Sequence, residues 1–215
     1  MTVLAVALLP FLTLYAQEKK KDGPRFNARE VFANLHTPGL ETIRKSARLD
    51  LADYWEADSV HKVMTVSGGA AWLEALTGDY AKVHVSPVSD VELKILPYKK
   101  GKIVVCVYTV GDSVQAKDSE VSFYDESLRP LDKRKFFTPP VLAQFFDIPK
   151  GSDVTMEDIR EKVPFPTVAY SLSAENTDIT ARLTVEDYIS PDDLPTVRRF
   201  LVPELRREWK GKYKF

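Results

Sequence analysis

The sequence predicts an α+β fold: an antiparallel β-sheet meander with N-terminal helices, a helical insert in the middle and a C-terminal helix. Three observations carry this expectation. Helix-periodic stretches come first and end near residue 57. Six short β-rich runs then follow one another between residues 61 and 124, joined by links too short for a helical crossover. A helical segment, two alternating strands and a last helix close the chain. Helices and strands that segregate along a sequence indicate α+β rather than an alternating α/β fold.

The first sixteen residues stand apart from that pattern. MTVLAVALLPFLTLYA has no charged side chain, and Val3 to Tyr15 is almost continuously apolar. This is the length of a secretory signal's apolar region, and it falls short of the roughly 20 apolar residues that span a bilayer. Ala16 is small enough to precede a cleavage site. Leu14, two places earlier, is larger than usual there, and the customary Lys or Arg ahead of the run is missing. A buried strand or helix is the competing reading, but no polar face interrupts the run. No Cys follows it, so lipoprotein processing is not expected. Residues 1–16 therefore read as a signal peptide and residues 17–27, polar with Gly23-Pro24, as a flexible leader. Residues 28–215 read as a single α+β domain.

The elements of that domain can be justified in order. Asn27 caps a helix from Ala28 to about Leu35, with Val31, Phe32 and Leu35 on one side. His36-Thr37-Pro38-Gly39 breaks it. A second helical stretch runs from Leu40 to Ala57, with Leu40, Ile43, Ala47, Leu51 and Tyr54 as its buried stripe and Asp50 as an internal cap. The expected strands are His61–Val66, Ala71–Thr77, Ala81–Ser86, Val91–Pro97, Lys102–Val110 and Glu120–Tyr124. Alternation is clear in Val83-His84-Val85 and in Val91-Glu92-Leu93-Lys94-Ile95. Asp125–Lys135 reads as a loop. Thr138 caps a short helix through Phe146, with Pro139 and Pro140 in its first turn. Thr155–Lys162 is a second short helix with acids at its start. Val168–Ala174 and Ile179–Asp187 form a hairpin about Asn176-Thr177-Asp178. A last helix spans Asp193–Leu205, and Trp209–Phe215 adds a final strand.

Composition excludes some function classes. Lys and Arg number 30 against 31 Asp and Glu, so the strong basic excess of a nucleic-acid binder is absent. The single Cys, Cys106, allows no intramolecular disulfide, and within Ile103–Val107 it reads as a small buried hydrophobe.

Five features invite a functional reading, and each has a simpler one. His36, His61 and His84 share no metal-ligand spacing, and His84 alternates toward solvent. Ser67-Gly68-Gly69 matches neither a nucleophile elbow nor a phosphate loop and reads as a turn. Asp50 and Asp53, with Arg48 and Glu56 nearby, share a helix face and can pair as carboxylates or serve as solvated charges and caps. Arg206, Arg207, Lys210, Lys212 and Lys214 form a basic tail, interrupted by Glu204 and Glu208, that can touch an anionic surface or simply protect an edge strand. The ending Tyr213-Lys214-Phe215 is aromatic like that of outer-membrane barrels, but the helices and prolines oppose a barrel. No catalytic residue, metal ligand or cofactor is assigned from these patterns.

Several segments together resemble a family of small exported Bacteroidales proteins known only as a domain of unknown function. They are Leu49-Asp50-Leu51-Ala52-Asp53-Tyr54, Ser67-Gly68-Gly69, Val91 to Pro97, Val104–Val110, Ser122-Phe123-Tyr124-Asp125 with the Leu-Arg-Pro-Leu loop after it, and Val202-Pro203-Glu204 with Glu208-Trp209. The resemblance covers most of the chain beyond residue 16 and implies a periplasmic or secreted envelope protein. It implies no activity. The expected function is accordingly a non-catalytic module that binds an envelope protein or glycan, soluble once its signal is removed. The alternatives are an envelope hydrolase using Asp50 or Asp53 and a structural component of an envelope assembly.

Overall fold

Ile103 to Val107 is apolar at every position, and a strand apolar on both sides must be covered on both. That requirement organises the molecule. The computed structural model describes residues 26–59, 61–111 and 116–215; the expected signal peptide and most of the leader lie outside them. Six strands form one antiparallel meander in chain order: β1 (Val63–Met64), β2 (Ala70–Leu76), β3 (Tyr80–Ser86), β4 (Ser89–Tyr98), β5 (Gly101–Val110) and β6 (Asp118–Tyr124). The expected meander is therefore present, with its first strand shortened to two residues.

The first face of the meander carries the N-terminal helices. Val91, Leu93 and Ile95 of β4 and Val104 and Cys106 of β5 pack there against Val31, Phe32, Leu35, Leu40 and Leu51. Helix α1 (Ala28–Asn34) is capped as expected, Asn27 Oδ1 accepting from the Glu30 amide at 2.9 Å. Gly39 lets the chain pass close to the sheet. Its φ is +82°, and a Cβ there would lie 2.7 Å from Val91 and 2.8 Å from Tyr108. Cys106 is fully buried, and desolvation pushes its thiol up to about 12.

The second helical stretch differs from expectation. A single 3-10 turn covers Leu40–Thr42, the chain extends at Ile43, and α2 runs only from Lys45 to Glu56. The break lies at Ile43-Arg44 and not at Asp50. It resets the helical phase, so α2 buries Arg48, Leu51 and Ala52, while Tyr54 faces outward and stacks on His61. Arg48 Nη1 donates to the carbonyls of Phe32 and Leu35 at 3.0 and 2.7 Å, closing the orphan C-terminal end of α1.

The second face carries a smaller antiparallel sheet of β8 (Val168–Leu172), β9 (Asp178–Leu183) and β10 (Leu205–Glu208), in the order β10-β9-β8. Strand β8 is its free edge. Alternate amides of such an edge have no strand to bond. Here the meander supplies side chains instead. Val168 N donates to Asp118 at 3.3 Å, Tyr170 N to Ser119 at 3.0 Å and Leu172 N to Glu92 at 2.7 Å. Glu92 and Lys94, the polar half of β4's alternation, are consequently buried between the sheets.

Two expected helices shrink for the same reason. A residue before proline avoids the helical region. Thr138 and Pro139 both precede prolines, so Phe137–Thr138 becomes strand β7, and the helix reduces to a 3-10 turn, Leu142–Phe145, which leaves Val141 exposed. Val202 precedes Pro203, so α4 covers only Leu194–Phe200, and Arg206 and Arg207 fall on β10. Helix α3 (Met156–Lys162) forms as expected, with Thr155 and Asp158 in a capping box. The tail becomes β11 (Tyr213–Lys214), paired parallel to β7 and burying Tyr213 and Phe215. Among the described residues, no helix is long and apolar enough to cross a membrane.

Candidate functional site

The second sheet does not cover the whole second face. It spans the β4–β6 side and, among the described residues, leaves β1, β2 and the His84 end of β3 open, Tyr80 of β3 being buried beneath it. Register then decides what the open part displays. Trp72 of β2 pairs with His84 of β3, and His84 with Asp90 of β4. These three side chains share one row on the outward face. The His84 ring stacks on Trp72 at 4.5 Å between centroids. Its Nε2 lies 2.6 Å from Glu74 Oε2 and its Nδ1 lies 2.5 Å from Asp90 Oδ1. Each ring nitrogen thus faces one carboxylate oxygen. Lys82 Nζ donates to Glu74 Oε1 at 2.9 Å, and Lys62 Nζ sits 4.7 Å from the Trp72 ring centre. Met64, at 76% exposure, adds a free apolar side chain beside them on β1.

This constellation is electrostatically closed. Partial burial works to raise the Glu74 carboxyl, but the Lys82 hydrogen bond, the Lys82 charge and His84 outweigh it and hold Glu74 below the usual carboxylate range. Burial likewise works to lower the Lys82 ammonium, and Glu74, Glu92 and Asp90 together raise it. The two carboxylates grip opposite nitrogens of one ring and do not converge on a point. Among the described residues, no three His, Cys, Asp or Glu side chains are placed to hold a metal ion.

Under the second sheet the same face is different. Glu92 Oε2 accepts from Tyr80 Oη at 3.2 Å as well as from Leu172 N. Desolvation raises its carboxyl to about 6, against the opposing pull of the Leu172 amide. Lys94 Nζ reaches Ala174 O at 3.1 Å and Asp79 at 2.9 Å. These groups join two sheets and are shielded from any partner.

The other sequence candidates are placed as follows. Asp50 and Asp53 are exposed on α2, outside any described recess, and Asp53 and Glu56 pair with Arg29 rather than with Arg48. Ser67-Gly68-Gly69 is the β1–β2 turn, with Gly68 at φ +84° and the Gly69 amide donating to Thr65 Oγ1 at 3.0 Å. His36 is exposed beyond α1, and His61 lies against Tyr54. His84 is on the outward face that alternation assigns, but its side chain is only 24% exposed because its neighbours enclose it. A recess of about 580 Å³ lies between the β8–β9 hairpin and α4, rimmed by Lys117, Arg182 and Glu204 and by the Arg198–Glu186 ion pair at 3.0 Å. Trp72, Glu74 and Asp90 were not candidates from the sequence. The signal that finds them is symmetry about the turns: Gly78 stands midway between Trp72 and His84, and Pro87 midway between His84 and Asp90.

Fold and site together define an α+β protein in which a three-stranded sheet covers part of a six-stranded meander, and the uncovered part displays an ordered aromatic and charged cluster. Residues 26–215 match the family described as "Protein of unknown function (DUF3256)", and the chain belongs to that family. A solved structure titled as a domain of an uncharacterized protein from Porphyromonas gingivalis W83 has the same fold. Its TM-score is 0.71 at 23% identity, over 86% of this chain and 96% of that one. No curated protein matches the sequence.

Proposed function

We propose that this protein is an exported, non-catalytic binding module of the bacterial envelope, and that the open end of its second sheet face receives a protein partner. The observation that carries the reading is the ordered Lys62–Trp72–His84 stack beside exposed Met64. Aromatic and Met side chains inside a charged rim are the anatomy of a protein interface. The charges here are already paired and rigidly held on strands, so little ordering entropy is lost on docking. A glycan is less favoured because Lys62 and His84 already lie against the Trp72 ring that a sugar would stack on. The apolar residues 1–16 support export.

Two measurements test this. Cell fractionation with N-terminal sequencing should find the protein in the envelope or medium, starting at Gln17; a cytoplasmic chain retaining Met1 would contradict export. A photo-crosslinking residue at position 64 should give one discrete protein adduct in living cells, lost in Trp72→Ala. The same residue at exposed Lys150 should give none. Equal adducts from both positions, or resonance shifts at Trp72 with oligosaccharides alone, would overturn the protein-partner reading.

A further inference from the structure

The near-zero net charge conceals a segregation that only the fold makes visible. Three segments far apart in sequence end at one pole of the molecule. The first is the β4–β5 turn with Lys99, Lys100 and Lys102. The second is the 3-10 turn Lys133–Lys135 ahead of β7. The third is the tail from Arg207 onward. Each basic segment is tied down by an aromatic neighbour, and those aromatics meet. Tyr98 contacts Phe136 at 5.2 Å, Phe136 contacts Trp209 at 6.4 Å and Trp209 contacts Tyr213 at 5.0 Å. Hydrogen bonds lock the same knot: Trp209 Nε1 donates to Pro97 O at 2.7 Å and Tyr213 N to Phe136 O at 2.8 Å. Residues 99–102, 133–135 and 207–215 hold ten Lys and Arg and one acid, Glu208. Asp125, Glu126, Asp132 and Asp178 lie alongside; Asp125 pairs with Arg129 at 2.8 Å, Asp132 with Arg134 at 3.0 Å and Asp178 with Arg206 at 3.8 Å. Lys99, Lys100, Lys102, Lys133 and Lys135 are all exposed, as are the three tail lysines.

We infer that this pole docks on a membrane surface through the phosphates of anionic lipid headgroups. The shape selects that partner. The cations spread over three turns, and the recess among Arg207, Glu208, Lys210, Lys212 and Lys214, where Glu208 pairs with Lys210 at 3.3 Å, is only about 240 Å³. A plane of phosphates engages all three segments together, whereas a single bound anion would meet one. Arg207 braces the tail from within: its Nε and Nη1 donate to the carbonyls of Lys214 and Arg206 at 3.1 and 2.7 Å, and its guanidinium lies over Phe215 at 5.4 Å, so the exposed tail lysines carry the contact. A cluster of this size gives reversible attachment that falls with ionic strength. The pole is separate from the open face around Trp72, so the inference holds whichever partner that face takes.

The test is co-sedimentation of the protein, purified in the form its cells accumulate, with phosphatidylglycerol–phosphatidylcholine vesicles and with pure phosphatidylcholine vesicles. Binding should require phosphatidylglycerol and weaken steadily with salt. Each cation near an anionic surface is worth about 1 kcal/mol, or about fivefold in affinity. The triple variant Lys210→Gln, Lys212→Gln, Lys214→Gln should therefore bind roughly a hundredfold more weakly. The triple Lys99→Gln, Lys100→Gln, Lys102→Gln in the distant turn should do the same, both with unchanged thermal midpoints. Equal binding to neutral vesicles, a salt-independent affinity, retention on soluble polyphosphate without vesicle binding, or loss confined to one triple would each overturn the inference.

Discussion

The two halves of the meander's second face have the same sequence pattern and opposite fates. On the β1–β3 side, Glu74, Lys82 and His84 point outward, are partly exposed and neutralise one another across strands. On the β4 side, Glu92 and Lys94 alternate with Val91, Leu93 and Ile95 in the same way, yet both are buried. The difference lies in what is laid on top. Edge strand β8 brings unpaired amides that need acceptors, and Glu92, Ser119 and Asp118 provide them. A polar side chain beneath an edge strand substitutes for a missing neighbour strand. The same kind of side chain one strand pair away, with none of the described residues laid over it, stays at the surface. Alternation thus states which residues share a face, and only the register of a distant element states whether that face is dry.

Truncation separates the two halves. Glu92→Ala strands the Leu172 amide and the Tyr80 hydroxyl, and should cost on the order of 3 kcal/mol in urea denaturation at about pH 5, whereas Glu74→Ala should cost about 0.5 kcal/mol or less. Similar costs for the two would show that the faces do not differ. Acidity sharpens the contrast next. The folded state holds the Glu92 proton more tightly than the unfolded chain, with its carboxyl raised from 4.5 to about 6. Its contribution is therefore fully present below about 4.5 and is lost as pH rises through about 6, a change of about 2 kcal/mol at most. Glu92→Gln keeps an acceptor and should remove that slope, as paired denaturation curves at the two pH values will show. On the open side, Trp72→Ala should cost about 1 kcal/mol of stability in urea denaturation and remove the photo-adduct formed at position 64. The smallest effect is expected from Lys62→Ala, within about 0.5 kcal/mol by thermal melting, since only an exposed cation–π contact is lost.

Much of this architecture was legible in the residues. The α+β class, the six-strand meander, the Asn27 cap, the short helix after Thr155, the β8–β9 hairpin and the buried Cys106 follow from periodicity and turn chemistry over short spans. What was not legible depends on contacts between distant segments. Nothing local in Lys45–Glu56 announces that Arg48 closes the end of α1, or that a break at Ile43 turns Tyr54 outward. The acidic start and basic end of Asp193–Leu205 suggest a longer helix than Pro203 allows, since Val202 before it avoids the helical region. The His84 cluster was half visible: turn symmetry places Trp72 and Asp90 beside it, but Glu74 enters only through the irregular register after Leu73. The basic tail is visible as a run. Its union with two other basic turns was invisible, because the aromatic knot that gathers them spans more than a hundred residues, from Tyr98 to Tyr213.

Amide hydrogen exchange, followed with and without a detergent-free envelope extract, tests the division of the face most directly. Without extract, Val168, Tyr170 and Leu172 should exchange slowly, as amides with acceptors do, although β8 is an edge strand. With extract, new protection should fall on residues 62–64, 72–74 and 82–84 and leave β8 unchanged. Rapid exchange along β8 in the free protein, or new protection confined to β8 and β9, would contradict the account.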